Sequence, residues 1–481
     1  MNKLKQLKSK YFSLDVAIRA GVWFTICNLL QKGITMISMP IFTRLLTTEQ
    51  YGCFTVYQSW YSIINIIVTF NFSGSLILNA MAKYENRRNE FISSIQTLST
   101  CITISFFVVY LIFHSFFNKL FGLSTLFMVT MFVQMLFEPA YLFWAQKQRY
   151  EYKYKGLIAV TLLTSSLGPI LGVIAVISTQ YKAEARVLSF AIVQICAGLI
   201  LYIIQSIRGK TFYNKEFWKF ALTFSLPLIP HYLSQIVLGQ SDRIMIDKIV
   251  GASEAAIYGV SYNLASVITL FVNAVNSSFA PSLYEGLKKK DCKDIKKAAT
   301  FLVTFMASLI CVFMLFGPEI ITIFVAPEYK VAKWIFPPVA TSVFFTFIYV
   351  FYVNVEFYYE KTQYVMFVSV LGAILNIVLN LIFINRFGYI AAGYTTVFSY
   401  IAFCVFHYLL YRFIMKKQEM GNIYNNIFFL FISIIVLAFM GICLLLYKFN
   451  TIRYIVIAVI CALAIIFRKK LIYIFKKALN K

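Results

Sequence analysis

The chain has 481 residues, of which 60% are hydrophobic and only 13% charged, whereas an ordinary soluble domain carries about a quarter charged residues. That excludes a typical soluble enzyme. A net charge of +25 would suggest nucleic acid in a soluble protein, but here the basic residues fall in short connections between apolar stretches, a pattern of membrane orientation; nine cysteines without a CxxC pair give neither a zinc site nor a disulfide framework.

Crossing about 30 Å of hydrocarbon takes roughly 20 apolar residues. Such stretches follow one another from Val16 almost to Lys481, which predicts an all-α integral membrane protein of about fourteen transmembrane helices. The basic segment 1–15 precedes the first span, 16–42, which is too long for a signal peptide and lacks a small-residue cleavage site, so it is expected to stay. On this span Thr25, Asn28, Lys32 and Thr35 recur at helical spacing and form one stripe. Lys32 sits near mid-span with no acid at helical spacing, and a charge at that depth is costly enough to suggest function. Arg19 has Asp15 four residues earlier, so a salt bridge near the interface competes with a substrate or gating role. Arg44 lies in the following outer connection.

The second span, 51–80, repeats the pattern with Gln58, Ser62, Asn65 and Thr69. Spans 91–113, 122–144, 157–178 and 187–207 complete a first group of six. Within them Glu138, beside Pro139, reads either as a proton carrier or as a packing carboxyl; it is the only acid found well inside a span. After a connection at 208–219, span 220–241 carries Pro227 and Pro230, which break its regularity, and His231, Gln235 and Asp242 align on it within about 40°. Asp242, Arg243, Asp247 and Lys248 cluster at its outer end, within reach of solvent, as a gate or as a surface ion-pair network. Span 255–283 aligns Tyr262, Ser266, Asn273 and Ser277. Spans 298–325, 334–355, 364–385 and 390–411 complete a second six. Asn376 and Asn380 are expected to bond between helices. Spans 427–447 and 452–467 and a basic tail end the chain.

With both termini in the cytoplasm, the cytoplasmic segments hold 31 of the 44 Lys and Arg residues and the outer ones 11, as the positive-inside rule requires. Every connection is short, the longest being about 284–297, which leaves no room for an extramembrane catalytic domain.

Thr43-Arg44-Leu45-Leu46-Thr47-Thr48-Glu49-Gln50-Tyr51-Gly52 joins spans one and two, and a similar run from Asp247 to Gly259 joins seven and eight. Six spans separate them, so the halves share one orientation, as parallel repeats do. The expected organisation is an N-terminal lobe at 16–207, a linker at 208–219, a second lobe at 220–411, and two added helices with the tail at 412–481. The four polar stripes lie on the helices flanking the echoed turns. They predict a polar cavity lined by Asn28, Lys32, Gln58, Asn65, His231, Gln235, Tyr262 and Asn273, with Arg19, Arg44, Glu138, Asp242 and Arg243 as gate or coupling candidates. The competing explanation is that these side chains hydrogen-bond neighbouring helices.

Pro40-Ile41-Phe42-Thr43-Arg44-Leu45-Leu46-Thr47-Thr48-Glu49-Gln50-Tyr51-Gly52 resembles the opening signature of the Wzx-type polysaccharide flippases, part of the superfamily that includes the MATE exporters and the lipid II flippase MurJ. Leu226-Pro227-Leu228-Ile229-Pro230, Asp242-Arg243-Ile244-Met245-Ile246, Ile257-Tyr258-Gly259-Val260-Ser261-Tyr262, Pro327-Glu328-Tyr329 and Phe387-Gly388-Tyr389-Ile390-Ala391-Ala392-Gly393 are similar to later parts of that family's pattern. The resemblance implies two six-helix lobes plus two helices in a bacterial cytoplasmic membrane. It also implies movement of an undecaprenyl-pyrophosphate-linked O-antigen or capsule repeat unit to the outer leaflet by alternating access. Implied partners are the lipid-linked oligosaccharide, membrane lipids, a polysaccharide polymerase and a chain-length regulator. No cofactor is implied beyond coupling to an H+ or Na+ gradient.

Two rivals remain. A MATE-like cation or drug antiporter would favour acidic cavity groups over a lone lysine, and a membrane polymerase or glycosyltransferase would carry a large outer loop or an early acidic motif, which this chain lacks. No GxxxxGK[ST] loop for ATP is present.

Overall fold

The computed structural model describes residues 15–466 and 468; the basic N-terminal segment and most of the basic tail lie outside the described residues. Among the described residues every regular element is a helix, which agrees with the expected fold class. The chain forms two compact units, 1–244 and 245–481.

In the first unit α1 spans Val16–Leu45, α2 Thr48–Val68, α3 Ser75–Lys83, α4 Arg88–Ile112, α5 His114–Phe121, α6 Thr125–Tyr150, α7 Tyr154–Ser178, α8 Lys182–Gly209 and α9 Lys215–Ser225, followed by most of α10, Ile229–Ile249. The signature turn between α1 and α2 has a local physical purpose. Thr47 Oγ1 accepts from the Gln50 amide at 3.2 Å while Gln50 Oε1 accepts from the Thr47 amide at 3.1 Å, a capping box that starts α2 by satisfying two otherwise unpaired donors. Span two is not continuous to residue 80. It stops at Val68, turns through Phe70 and Asn71 at positive φ, and resumes as α3. Between α9 and α10 lies a 3-10 turn, Leu226–Leu228, where Pro227 and Pro230 each remove a backbone donor.

The sequence reading places its linker at 208–219, whereas the compact units divide between Ile244 and Met245. The reason is packing: Phe217 and Ala221 of α9 are fully buried in the first unit's core with Leu76, Ile77, Phe91 and Phe143. Burying the Phe217 ring is worth on the order of 2 kcal/mol, and holds α9 against α4.

In the second unit α11 spans Ala252–Ala265, α12 Thr269–Lys289, α13 Lys293–Leu315, α14 Gly317–Phe324, α15 Phe336–Tyr358, α16 Thr362–Phe387, α17 Ala391–Lys417, α18 Asn426–Leu446 and α19 Asn450–Ile466. Helix α15 is the axis of this unit. Eighteen of its 23 residues are buried, and α17 lies along it. The connection at 284–297 is shorter than expected, because α12 continues to Lys289 and α13 begins at Lys293. Arg453 of α19 is buried and forms a two-pronged ion pair with Glu319 of α14, with its Nη1 at 2.9 Å.

Eleven described helices or helix pairs are long and apolar enough to cross a bilayer, which makes this a multi-pass membrane fold. The remaining three expected spans do not meet that measure. Helices α1 and α2 have the length, at 30 and 21 residues, but their polar stripes dilute the apolar surface, and α19 has 17 residues.

Candidate functional site

Helix α1 packs along α7, where Gln31 Nε2 donates to Ser165 Oγ at 3.0 Å. Its predicted stripe divides into two kinds of residue. Thr25 and Thr35 turn their hydroxyls back on the helix, donating to the carbonyls of Gly21 and Gln31 at 2.9 and 3.0 Å. Asn28 is exposed and Lys32 half-buried.

On α2, Ser62 and Thr69 likewise bond the carbonyls of Gln58 and Asn65, while the Gln58 and Asn65 side chains are half-buried. Helix α10 supplies His231 and Gln235, both half-buried. Two contacts seat α10 in the first unit: Tyr232 and Ser75 share a hydrogen bond of 2.9 Å, and buried Ser59 on α2 donates to Gln240 Oε1 at 3.2 Å. Gln240 Oε1 also accepts from Arg243 Nη1, which donates in addition to the Gly239 carbonyl at 3.3 Å.

The charges of Lys32 and Arg243 are within electrostatic reach of one another. Asp242 and Arg243 are not solvent-facing as the sequence suggested. They are 1% and 4% exposed, because their helix is packed into the unit there. The first unit thus brings a lysine, an arginine, a histidine and several amides onto α1, α2 and α10. Such a set suits a polar anion: the cations supply charge and the amides donate and accept.

Glu138 is held elsewhere in the same unit. Its carboxylate accepts from Tyr61 Oη and, at 2.8 Å, from Gln134 Nε2; Gln134 in turn accepts from Tyr57 Oη at 3.2 Å. The arrangement ties α6 to α2. Arg19 and Arg44 stand apart from these groups. The Asp15 carboxylate, expected to pair with Arg19, instead caps α1 by accepting from the Ala17 amide at 2.7 Å, because at a helix start it satisfies an unpaired donor. Arg44 is exposed and donates to the Pro40 carbonyl at 2.8 Å.

A family profile described as "Polysaccharide biosynthesis protein" matches residues 18–286, more than half of the chain. The chain belongs to that family. A second profile, MatE, matches residues 227–382. Among relatives of this family member, Lsg locus putative protein 1 of Haemophilus influenzae is 24% identical over 74% of this chain and 88% of its own length. The probable low-salt glycan biosynthesis flippase Agl15 of Haloferax volcanii is 22% identical over 85% and 86%. Among solved structures, the lipid II flippase MurJ in an inward closed conformation superposes with a TM-score of 0.66 at 15% identity, covering 94% of this chain and all of that one. An inward-facing multidrug MATE transporter gives 0.58 at 12%, covering 82% and 95%. These structures share the fold, as the Wzx-type resemblance implied.

The family member's second unit carries Tyr262 and Asn273. Tyr262 is half-buried with its ring 6.2 Å from that of Tyr258, and Asn273 is exposed. The stripe expected through Tyr262, Ser266, Asn273 and Ser277 is interrupted, because Ser266–Ile268 is a 3-10 turn that shifts the helical phase. Asn376 and Asn380 are fully buried, hydrogen-bonded to each other at 3.2 Å, and joined to Thr395 of α17, the interhelical role expected.

Besides Arg453, already described, two more buried charged residues escaped the sequence reading. Glu138 is not the only acid inside a span: Glu356 of α15 is fully buried against His407 of α17. The expected span, 334–355, ends one residue short of it. Arg186 of α8, placed at the edge of its span, is buried with its guanidinium 3.9 Å from the Phe42 ring and 4.0 Å from the Phe54 ring. Its position beside Glu184 at the head of an apolar run was the available signal.

Proposed function

We propose that this protein moves a lipid-linked oligosaccharide, an undecaprenyl-pyrophosphate-linked repeat unit, from the inner to the outer leaflet of a bacterial cytoplasmic membrane by alternating access, for surface polysaccharide synthesis. The observation that carries the reading is the polar, cationic face of the first unit, on helices that are otherwise built for lipid. Lys32 and Arg243 match the charge of a pyrophosphate. Asn28, Gln58, Asn65, His231 and Gln235 match a field of sugar hydroxyls. The prenyl tail needs no polar partner and stays in lipid. The glycan flippase among the relatives and the fold shared with a lipid II flippase support the same substrate class. The work asked of the protein is transport, with no bond made or broken in the substrate, and a polymerase and a chain-length regulator would act on the product.

A cation exporter is the second reading, favoured by Glu356 within a span and by the MatE match. The deciding experiment reconstitutes the protein in liposomes with a fluorescent lipid-pyrophosphate oligosaccharide and follows its passage between leaflets. Passage with wild type that Lys32→Ala abolishes, with folding intact, supports the function and the site. Passage unaffected by the substitution keeps the function and removes the site. No passage of lipid-linked sugars, together with exchange of small cations for protons, replaces this reading with the exporter.

A further inference from the structure

In the second unit, His407 Nδ1 lies 2.8 and 3.0 Å from the two carboxylate oxygens of Glu356, and both side chains are 0% exposed. His407 Nε2 makes no hydrogen bond. Its ring is held by Tyr349, stacked at 5.5 Å, and by Phe403, edge-on at 4.5 Å. Neither ring offers a partner for that nitrogen in its plane. A buried polar atom left without a partner costs about 1–3 kcal/mol, and an ion pair kept dry gains little over apolar residues of the same size. The site therefore has no strong justification as a structural brace. Titratable groups within a membrane span are instead retained mainly for ion or proton movement.

The surroundings isolate the pair. On α15 and α17 the nearby titratable groups are Tyr349, Tyr352, Cys404, Tyr408 and Tyr411, all neutral near pH 7. Helix α11 brings Tyr262 toward Tyr349, and α12 sets Tyr284 against Tyr358. Helix α18 has no charged residue and α16 only Arg386 near its end; the charges of α13, Lys293, Asp294, Lys296 and Lys297, are exposed in its first turns. Arg412 of α17 is exposed and donates to Tyr408 Oη at 3.0 Å. Among the described residues the one charge acting on Glu356 is that of His407.

From this geometry we infer that Glu356 and His407 form a proton-binding site that couples proton movement to transport. With one proton shared between Nδ1 and the carboxylate the pair is neutral overall and is stable without water. Passing that proton to a water molecule leaves neutral imidazole and a carboxylate, a net charge of −1 that an apolar core does not hold. Deprotonation thus requires water to enter between α15 and α17, and reprotonation lets the two helices close again. Packing and proton occupancy become one two-state element. Glu356 lies two residues from the end of α15 and His407 ten from the end of α17, near the Lys/Arg-rich side, where water has the shorter path.

The coupling rests on the transport reading above; the proton site does not. Liposomes carrying the fluorescent lipid-pyrophosphate oligosaccharide are given an imposed pH gradient, and the ratio of transfer rates with and without it is measured for wild type, Glu356→Gln and His407→Gln. The expected result is a gradient response in wild type that both substitutions lose. A response of equal size in the variants, or none in wild type that still moves substrate, overturns the coupling. Where a single variant fails to fold, the double variant replaces both, since two amides restore a neutral hydrogen-bonded pair. If wild type moves no lipid-linked sugar, the transport reading has failed, and proton counting on purified protein decides the site alone. Between about pH 9 and 5, wild type takes up at least one proton more than the double variant if the site exists, and an equal number if it does not.

Discussion

Tyr61 on α2 hydrogen-bonds Glu138 on α6, bridging 77 residues of sequence inside the first unit. The carboxylate has two donors, Tyr61 and Gln134, and the second is itself fixed by Tyr57. Removing the Tyr61 hydroxyl leaves a buried acceptor short of a partner, which costs about 1–3 kcal/mol. Tyr61→Phe is therefore expected to lower the thermal unfolding midpoint in detergent. Glu138→Gln is expected to lower it less, because the amide oxygen still accepts from Tyr61. The reverse order would mean that the carboxylate charge, and not the hydrogen bond, holds α6 to α2.

Arg186 presents a flat cation to two rings, Phe42 and Phe54, while its Nε and Nη1 make no hydrogen bonds. Each such cation–ring contact is worth about 0.5–2 kcal/mol, and the planar guanidinium stacks where an ammonium does not. Arg186→Lys keeps the charge and loses the stacking. It is predicted to be less stable than Arg186→Met, which keeps the apolar stem and removes a poorly solvated charge. Thermal midpoints of the two variants, measured side by side, test that ordering.

A third test concerns backbone proximity. A Cβ built on Gly198 of α8 would sit 2.3 Å from the Phe137 carbonyl oxygen of α6 and 2.5 Å from its carbon. Backbone cannot yield as a side chain can, and small residues are what let membrane helices approach this closely. Gly198→Ala is expected to cost about 1–3 kcal/mol by overpacking. Gly168→Ala, where nothing lies within 4 Å, is its control and should leave the midpoint unchanged.

Local chemistry was the part of this fold most readable from sequence. Thr47 and Gln50 form the capping box their spacing allows, Pro227 and Pro230 break the seventh span where they stand, and Asn380 joins its helix to Thr395 of α17. What escaped depended on partners distant in sequence. Asn71, Ser73 and Gly74 offer turn chemistry that the apolar run around them masks, and Ser266 enters a 3-10 turn with no proline to mark it. Glu356 looked like the edge of a loop because its partner, His407, is 51 residues away. The polar stripes were legible as spacing, but spacing could not separate Thr25 and Thr35, which bond their own helix, from exposed Asn28 and half-buried Lys32.

Lys32 and Arg243 offer a direct test of anion binding without any lipid. Each cation raises the energy of the other, so an anion placed near both relieves a repulsion and forms new charge-assisted hydrogen bonds. A ligand that binds only the folded protein stabilises it by RT ln(1 + [L]/Kd), about 2.7 kcal/mol at a hundredfold excess over Kd. Inorganic pyrophosphate, as a fragment of the proposed head group, is thus expected to raise the thermal midpoint of the wild-type protein in detergent by a few degrees in a concentration-dependent way. Sulfate at matched ionic strength, a less charged anion, should raise it less. Lys32→Ala is predicted to have an unliganded midpoint equal to or above wild type, because one of two like charges is gone, and to lose most of the pyrophosphate shift. A variant that keeps the full shift would remove Lys32 from the anion site, and equal shifts with both salts in wild type would reduce the effect to ionic strength.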